Sequence, residues 1–476
     1  AGAAAEAEAA VAAALGGDDQ CAAGDAECAL NALQLRGLRV QAAANASGDA
    51  KWYSACSLIG CNAAYDRNRC QCNAGCMAHG NCCYDHSWIC ANAYTHAEVE
   101  PVIKVPELEE EPPDLTVYKA PEFSDDGCAV VVQDYAVDME AEGSTFFDNF
   151  VFVEVDDVHG AHQFTNESVA KREGVISTRD DSAQLQFGGL RAPSYGGEAW
   201  KRYAVNLHTK KAWNPSAGFL VVMSYSQLPY GCGLWPSFWM MNSDKIWPGG
   251  GELDILEFAN MEANKVTFHL GERCNLDAAK AAQCAPMQAQ VNAANSAECE
   301  TNYFVNKFGC MPKQRQPNGQ WFAKNPGIIA AEWTSKSITI FHIPKEEVPE
   351  DIEADKPRPT SWKKWVVAYL PLSSSCNSKI GPQELVINMQ LCGDWAGGTF
   401  GKGQCANSVP SQYRHGCVTG LSQPSDCCTK YVTSPAQDQM LKSQVWDIDY
   451  VKVYTSQGAK GRYSGTYKRG GVPLKE

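Results

Sequence analysis

Three things are missing from this chain. It has no run of about 18 apolar residues, so it encodes no helix able to span a bilayer. Positive charge is the minority: 40 Lys and Arg against 55 Asp and Glu leave a formal net charge of -15. That charge repels phosphates and argues against nucleic acid as a partner, while a neutral polymer stays compatible. Paired CxxC motifs with histidine spacing are also missing, so the cysteines read as disulfides and not as zinc ligands. The opening AGAAAEAEAAVAAALGG has no basic n-region and reads as the start of a processed chain, not a signal peptide.

What is present points outward from the cell. The 22 cysteines of the 476 residues suggest an oxidising compartment, and hence a secreted, extracellular or cell-wall protein. Asn45-Ala-Ser and Asn166-Glu-Ser are glycosylation sequons and agree with that. With 45% hydrophobic residues, the chain can build one large catalytic domain plus something smaller.

The texture divides into zones. Residues 1–50 are Ala-rich, with Cys21 and Cys28 a local pair and a helical pattern through Leu30, Leu33 and Leu38. Residues 51–92 are dense in cysteine, and 93–127 carry Pro101, Pro106, Pro121 and an acidic run, which reads as an extended linker. Residues 128–457 hold short strand-like segments: FLVVMSYSQL, KVTFHLG, SITIFHI, WVVAYL, ELVINMQL and VWDIDYVKVY. They are rich in Val, Ile, Phe, Tyr and Thr, and long amphipathic helices are scarce between them. An all-β sandwich follows. The stretch 275–300 reads as an insertion stapled by Cys274, Cys284 and Cys299, and 458–476 as a mobile basic, Gly-rich tail.

In the second zone, Cys56, Cys61, Cys70, Cys72, Cys76, Cys82, Cys83 and Cys90 serve a segment too short to build its own core, so disulfides would hold it. Eight cysteines allow 105 pairings, and the sequence does not choose among them. The ending C-x-C-x3-C-x5-CC-x-D-x4-C, with Asp85 after the paired cysteines, resembles the somatomedin-B family. That resemblance implies a compact interaction module, with an extracellular protein as a partner for residues 56–90; a stapled spacer is the plainer alternative.

The stretch GGGELDILEF, residues 249–258, places Glu252, Asp254 and Glu257 within an apolar run. Strand alternation sends Glu252 and Asp254 to one face and Leu253 and Ile255 to the other. Glu257 then falls on the apolar face, a costly place for a charge, unless a bulge returns it to the acidic one. Five strand steps of about 3.3 Å leave the two glutamates far apart along the strand, so spacing alone does not choose a retaining or an inverting geometry. Paired carboxylates suit glycoside hydrolysis, in which one attacks or activates water and the other is held protonated by its neighbours. Three acids could also line a structural calcium site, which is not predicted; the chemistry requires no cofactor. Trp235, Phe238, Trp239 and Trp247 lie close by in sequence and suit sugar faces, with Trp235 the first candidate for a core role.

From about 145 to 455 the chain resembles glycoside hydrolase family 16, in its fungal-type endo-1,3(4)-β-glucanase or laminarinase branch. FFDNFVFVEVDDVHG, GLWPSFWMM, WPGGGELDILE, TFHLG, AAEWTSKSITIF, LVINMQLCGDWAG and VWDIDYVKVY carry it, in the family's order. The resemblance implies a concanavalin-like β-jelly-roll preceded by the disulfide-rich module, a β-glucan cleft and a retaining double displacement. By position, Glu252 would be the nucleophile, Asp254 its assistant and Glu257 the general acid/base. Trp239, Trp247, His269 and Trp395 would line the cleft; Asn388 matches a motif position without an assigned role. A non-catalytic β-glucan recognition protein and a wall-remodelling transglycosylase remain as alternatives. The insertions at 275–325 and 405–428 would sit at the cleft edge and narrow it.

Overall fold

The computed structural model describes residues 134–463, except 157, 194–198, 278–288, 292–298, 303–306, 313–315, 415–425 and 457–459. All described residues belong to one compact unit. The cysteine-rich module, the linker, Cys128 and Cys284 lie outside them.

The domain is a sandwich of two antiparallel sheets. The back sheet runs Val366–Pro371, Ser337–Pro344, Gly327–Trp333, Phe219–Gln227, Trp446–Ser456, Ala183–Leu185 and Ile176–Thr178, with Tyr135–Glu142 also paired to Trp446–Ser456. The site sheet runs Ala289–Val291, Cys310–Pro312, Thr267–His269, Glu252–Glu257, Leu234–Met241, Gln383–Leu391, Asn206–Trp213 and Phe150–Phe152. Each strand-like segment read from sequence appears within a few residues of its expected bounds. Arg462–Tyr463, expected in the mobile tail, instead pairs with Asn206–Trp213 at Ala212 and Lys211.

Alternation decides what each face carries. Leu234, Phe238 and Met240 on one strand, Leu385, Ile387 and Met389 on the next, and Leu253 and Leu256 on the acidic strand are all fully buried and point between the sheets. Phe268 of the site sheet meets Trp333 of the back sheet edge to face at 5.5 Å, which is where the two layers close on each other. The opposite face of the site sheet is left for polar chemistry.

Disulfides fasten the loops to this frame. Cys232–Cys405, Cys274–Cys376, Cys299–Cys310 and Cys392–Cys428 are formed, and Cys427 is also disulfide-bonded. The expected staple inside the 275–300 insertion is corrected. Cys274 reaches out 102 residues to Cys376 and Cys299 bonds Cys310, so the insertion's ends are tied to neighbouring structure instead of to each other. Such bridges fit an oxidising compartment. Among the described residues no helix is long and apolar enough to cross a membrane.

Candidate active site

The approach to the acidic strand is a glycine turn. Gly250 and Gly251 have φ of +78° and +94°, and a Cβ on Gly250 would run into the Asn242 side chain. The chain then enters Glu252–Glu257 between Thr267–His269 on one side and Leu234–Met241 on the other. Against Leu234–Met241, Met241 faces Glu252, Met240 faces Leu253 and Trp239 faces Asp254, but Phe238 faces Leu256 and Ser237 faces Glu257. Ile255 is the extra residue of a bulge. Ile255 and Leu256 are both buried, and Glu257 is turned back to the face of Glu252 and Asp254.

The same register assembles the rest of the face. Trp235, Ser237, Trp239 and Met241 follow the odd phase of their strand, and Gln390, Asn388, Val386 and Glu384 sit opposite them in turn. Trp235 is therefore not a core residue, as the sequence suggested. The even phase already fills the core, and Trp235 is half-buried with its Nε1 donating to Glu257 Oε1 at 2.8 Å. Ser237 Oγ lies 3.4 Å from the same oxygen, and the backbone N–H of Glu257 donates to Asn264 Oδ1 at 2.7 Å.

The other acid has its own indole. Trp247, on the turn before the glycines and joined to Pro248 by a cis peptide, donates from Nε1 to Glu252 Oε2 at 2.8 Å. Its ring lies 5.9 Å from that of His269. His269 stands opposite Glu252 in register; its Nε2 is 3.2 Å from Asp254 Oδ2 and its Nδ1 is 2.8 Å from Thr301 Oγ1. Trp395, on the short helix Gly393–Thr399, packs edge to face on Trp235 at 5.5 Å, donates to Glu262 at 3.2 Å and carries Lys265 Nζ 4.3 Å above its ring. Trp239 lies 6.4 Å from His208, and its Nε1 is buried without a hydrogen-bond partner; so are Asn388 Oδ1 and Gln390 Oε1. The fold thus brings all seven sequence-predicted residues to one face.

Charge on this face is shared unequally. Burial, then the Asp254 charge, pushes the Glu257 carboxyl up to about 8, while the Trp235 hydrogen bond, His269 and Lys265 pull it back. Glu252 is also raised, first by burial and then by Asp254 and Glu257, with His269 and the Trp247 N–H opposing. Asp254 is raised by burial. Burial lowers His269, so the ring tends to stay neutral although Glu252 and Glu257 work to charge it. Glu252, Asp254 and His269 offer atoms within 4.8 Å of one another, close enough to share a cation. One nitrogen and two carboxylates would suit a transition metal better than calcium, which takes oxygen ligands. The Asp254–His269 contact and the Trp247 hydrogen bond already account for their closeness by protein groups alone.

Sequence reading missed Trp235 as a site residue, along with Asn264, Thr301 and Gln390. For Trp235 the signal existed: it shares its phase with Trp239. Thr301 is 32 residues from His269 and had no local signal.

Comparison with known proteins agrees with this geometry. Residues 149–454 match the family model described as the XgeA-like, catalytic GH16 domain. The chain belongs to glycoside hydrolase family 16. It is 28% identical over 340 residues to the endo-1,3(4)-beta-glucanase xgeA of Emericella nidulans, covering 70% of this chain and 49% of that protein. It is also 28% identical over 273 residues to a probable glycosidase of Schizosaccharomyces pombe, covering 55% of this chain and 60% of that protein. The chain thus spans about half the length of the curated relatives it matches. Among solved structures, an elongating GH family 16 beta-1,3-glucosyltransferase superposes with a TM-score of 0.54 at 24% identity, covering 67% of this chain and 100% of that one. Laminarinase 16A from Phanerochaete chrysosporium, with beta-glucans in donor and acceptor sites, superposes with a TM-score of 0.53 at 24% identity, covering 68% of this chain and 100% of that one. These likenesses establish the fold.

Proposed function

We propose that this protein is a secreted endo-β-1,3(4)-glucanase that cleaves internal bonds of laminarin-like or mixed-linkage glucans by a retaining double displacement. The observation that carries the reading is the bulge at Ile255, which turns Glu257 to the face of Glu252 and onto the Trp235 indole, while Glu252 holds the Trp247 indole. Glu257, held protonated to about pH 8, serves as general acid on the leaving sugar and then as base toward water. Glu252 is the nucleophile: the Trp247 N–H favours its charged form, and Asp254 assists by taking part in the shared hydrogen-bonding and charge of the cluster. Trp239, Trp247, His269 and Trp395 line the path of the glucan. Relatives named as glucanases and the disulfides support the assignment and its extracellular setting. Residues 51–92, as a somatomedin-B-like module, would supply a protein contact separate from the glucan site.

The test is product analysis on laminarin, mixed-linkage glucan and cellulose with the wild type and Glu252→Gln in parallel. Oligosaccharides from the first two that vanish in the variant support hydrolysis through Glu252. Products longer than the substrate would move the reading to transglycosylation. Binding of glucan without turnover by either protein would sink the enzyme assignment and favour a recognition protein. Proton NMR of the first anomer released separates retention from inversion.

A further inference from the structure

His269 is oriented by something outside the catalytic sheet's own pattern. Beyond the site sheet, Thr301–Asn302 pairs with Lys307–Phe308 as a two-stranded ribbon closed by Cys299–Cys310, eleven residues apart. This ribbon docks on the strand that carries His269. Leu270 donates its N–H to Cys299 O at 3.1 Å, Thr301 donates its N–H to Leu270 O at 2.7 Å, and Cys310 pairs with Phe268. The backbone of Thr301 is thereby pinned one residue beyond His269, and its hydroxyl, with the residue only 5% exposed, meets Nδ1 at 2.8 Å. Gly309 leaves the room: a Cβ there would lie 2.5 Å from Phe268 O and 3.1 Å from His269 Nδ1.

Resting on the glucanase reading, we infer that Thr301 is a positioning residue, whose hydroxyl fixes the His269 ring so that Nε2 stays on Asp254 and Asp254 stays beside Glu252. A neutral imidazole has one donor and one acceptor nitrogen, and the partner of one sets the role of the other. When Asp254 is ionised, it accepts from Nε2–H, and Nδ1 needs a donor, which the Thr301 O–H provides. When Asp254 is protonated it donates to Nε2, and Thr301 Oγ1 accepts from Nδ1–H. A hydroxyl serves both arrangements by rotation, whereas a carbonyl would serve only the second. The ring therefore keeps its place while charge moves among the three carboxyls during turnover. Without the hydroxyl, a buried ring nitrogen is unpaired and the ring is free to tilt away from Asp254.

The experiment compares the full chain carrying Thr301→Val and Thr301→Ser with the wild type, using laminarin kinetics and imidazole nitrogen NMR of His269. Thr301→Val is expected to lower kcat by about tenfold to a hundredfold at nearly unchanged KM, the scale set by misplaced reacting groups. Thr301→Ser is expected to restore most of it. In the spectrum, the wild type and Thr301→Ser share the Nδ1 shift of a hydrogen-bonded ring nitrogen, and the valine variant loses it. Equal losses in the serine and valine variants, a rise in KM alone, or an unchanged His269 signature in Thr301→Val would each overturn the inference. If the valine variant does not fold, Thr301→Ala carries the same comparison. A wild type without hydrolysis indicts the glucanase reading instead, and the NMR comparison still decides whether Thr301 orients the ring.

Discussion

Replacing Trp235 by Phe should move the alkaline limit of activity upward. The indole N–H donates to Glu257 Oε1 at 2.8 Å, and a donor aimed at a carboxyl oxygen favours the ionised form. Phenylalanine keeps a ring against Trp395 and removes only that donor. A hydrogen bond to a charged group contributes roughly 1.5–3 kcal/mol. The site is half-buried, so solvent replaces part of the loss, and about 1.4 kcal/mol, or one pH unit, is the working figure. A general acid must hold its proton to expel the leaving sugar, so activity fails as pH rises through its pKa. For Glu257 that lies at about 8 in the wild type. Removing the donor raises it, so the alkaline limb of kcat/KM should shift to about pH 9, with activity near pH 6 little changed. A pH–rate profile of both proteins on laminarin decides the matter. A limb that stays in place, or that shifts downward, would refute either Glu257 as the acid or Trp235 as its donor.

Three other perturbations test the scaffold. Deleting Ile255 should leave a regular strand on which Glu257 still faces the cleft, because Leu256 and Glu257 keep their partners Phe238 and Ser237; the lost core side chain should cost about 2–5 kcal/mol, read by denaturant unfolding, and a folded variant without any hydrolysis would contradict this register. Gly250→Ala forces a Cβ at φ +78° into Asn242, whose amide holds Pro382 O and whose oxygen accepts from Lys245 N; a loss of about 1–3 kcal/mol is expected, and a melting temperature equal to wild type would contradict the turn geometry. Removing the staple with Cys299→Ser and Cys310→Ser together should lower kcat in the direction of Thr301→Val, and an undiminished kcat would show that the ribbon holds Thr301 without its disulfide.

The sheets were legible because the strands obey alternation. FLVVMSYSQL or ELVINMQL could hardly be anything but buried β-structure, and each lies in the fold nearly where the residues placed it. The acidic motif was legible for the opposite reason: Glu257 broke the alternation, and a break with a carboxylate on it called for a bulge. Trp235 was misread because an indole between apolar neighbours looks like core until the phase of its strand is fixed against Trp239. The insertion's cysteines were misassigned because nearness in sequence says little about which thiols meet across a turn.

The sequence by itself determined the sandwich, the three acids and the use of cysteines as disulfides, since periodicity, local composition and cysteine density are properties of neighbours along the chain. Only the tertiary structure decided which indole serves which glutamate, that His269 bridges Asp254 and Thr301, and that Cys274 reaches Cys376. Most of those pairings depend on strand order and register, where residues 15 to more than 100 positions apart come within hydrogen-bonding or bonding distance; only Trp247 and Glu252 are close neighbours along the chain. No local pattern specifies such contacts; they are settled when hydrophobic burial chooses how the sheets align.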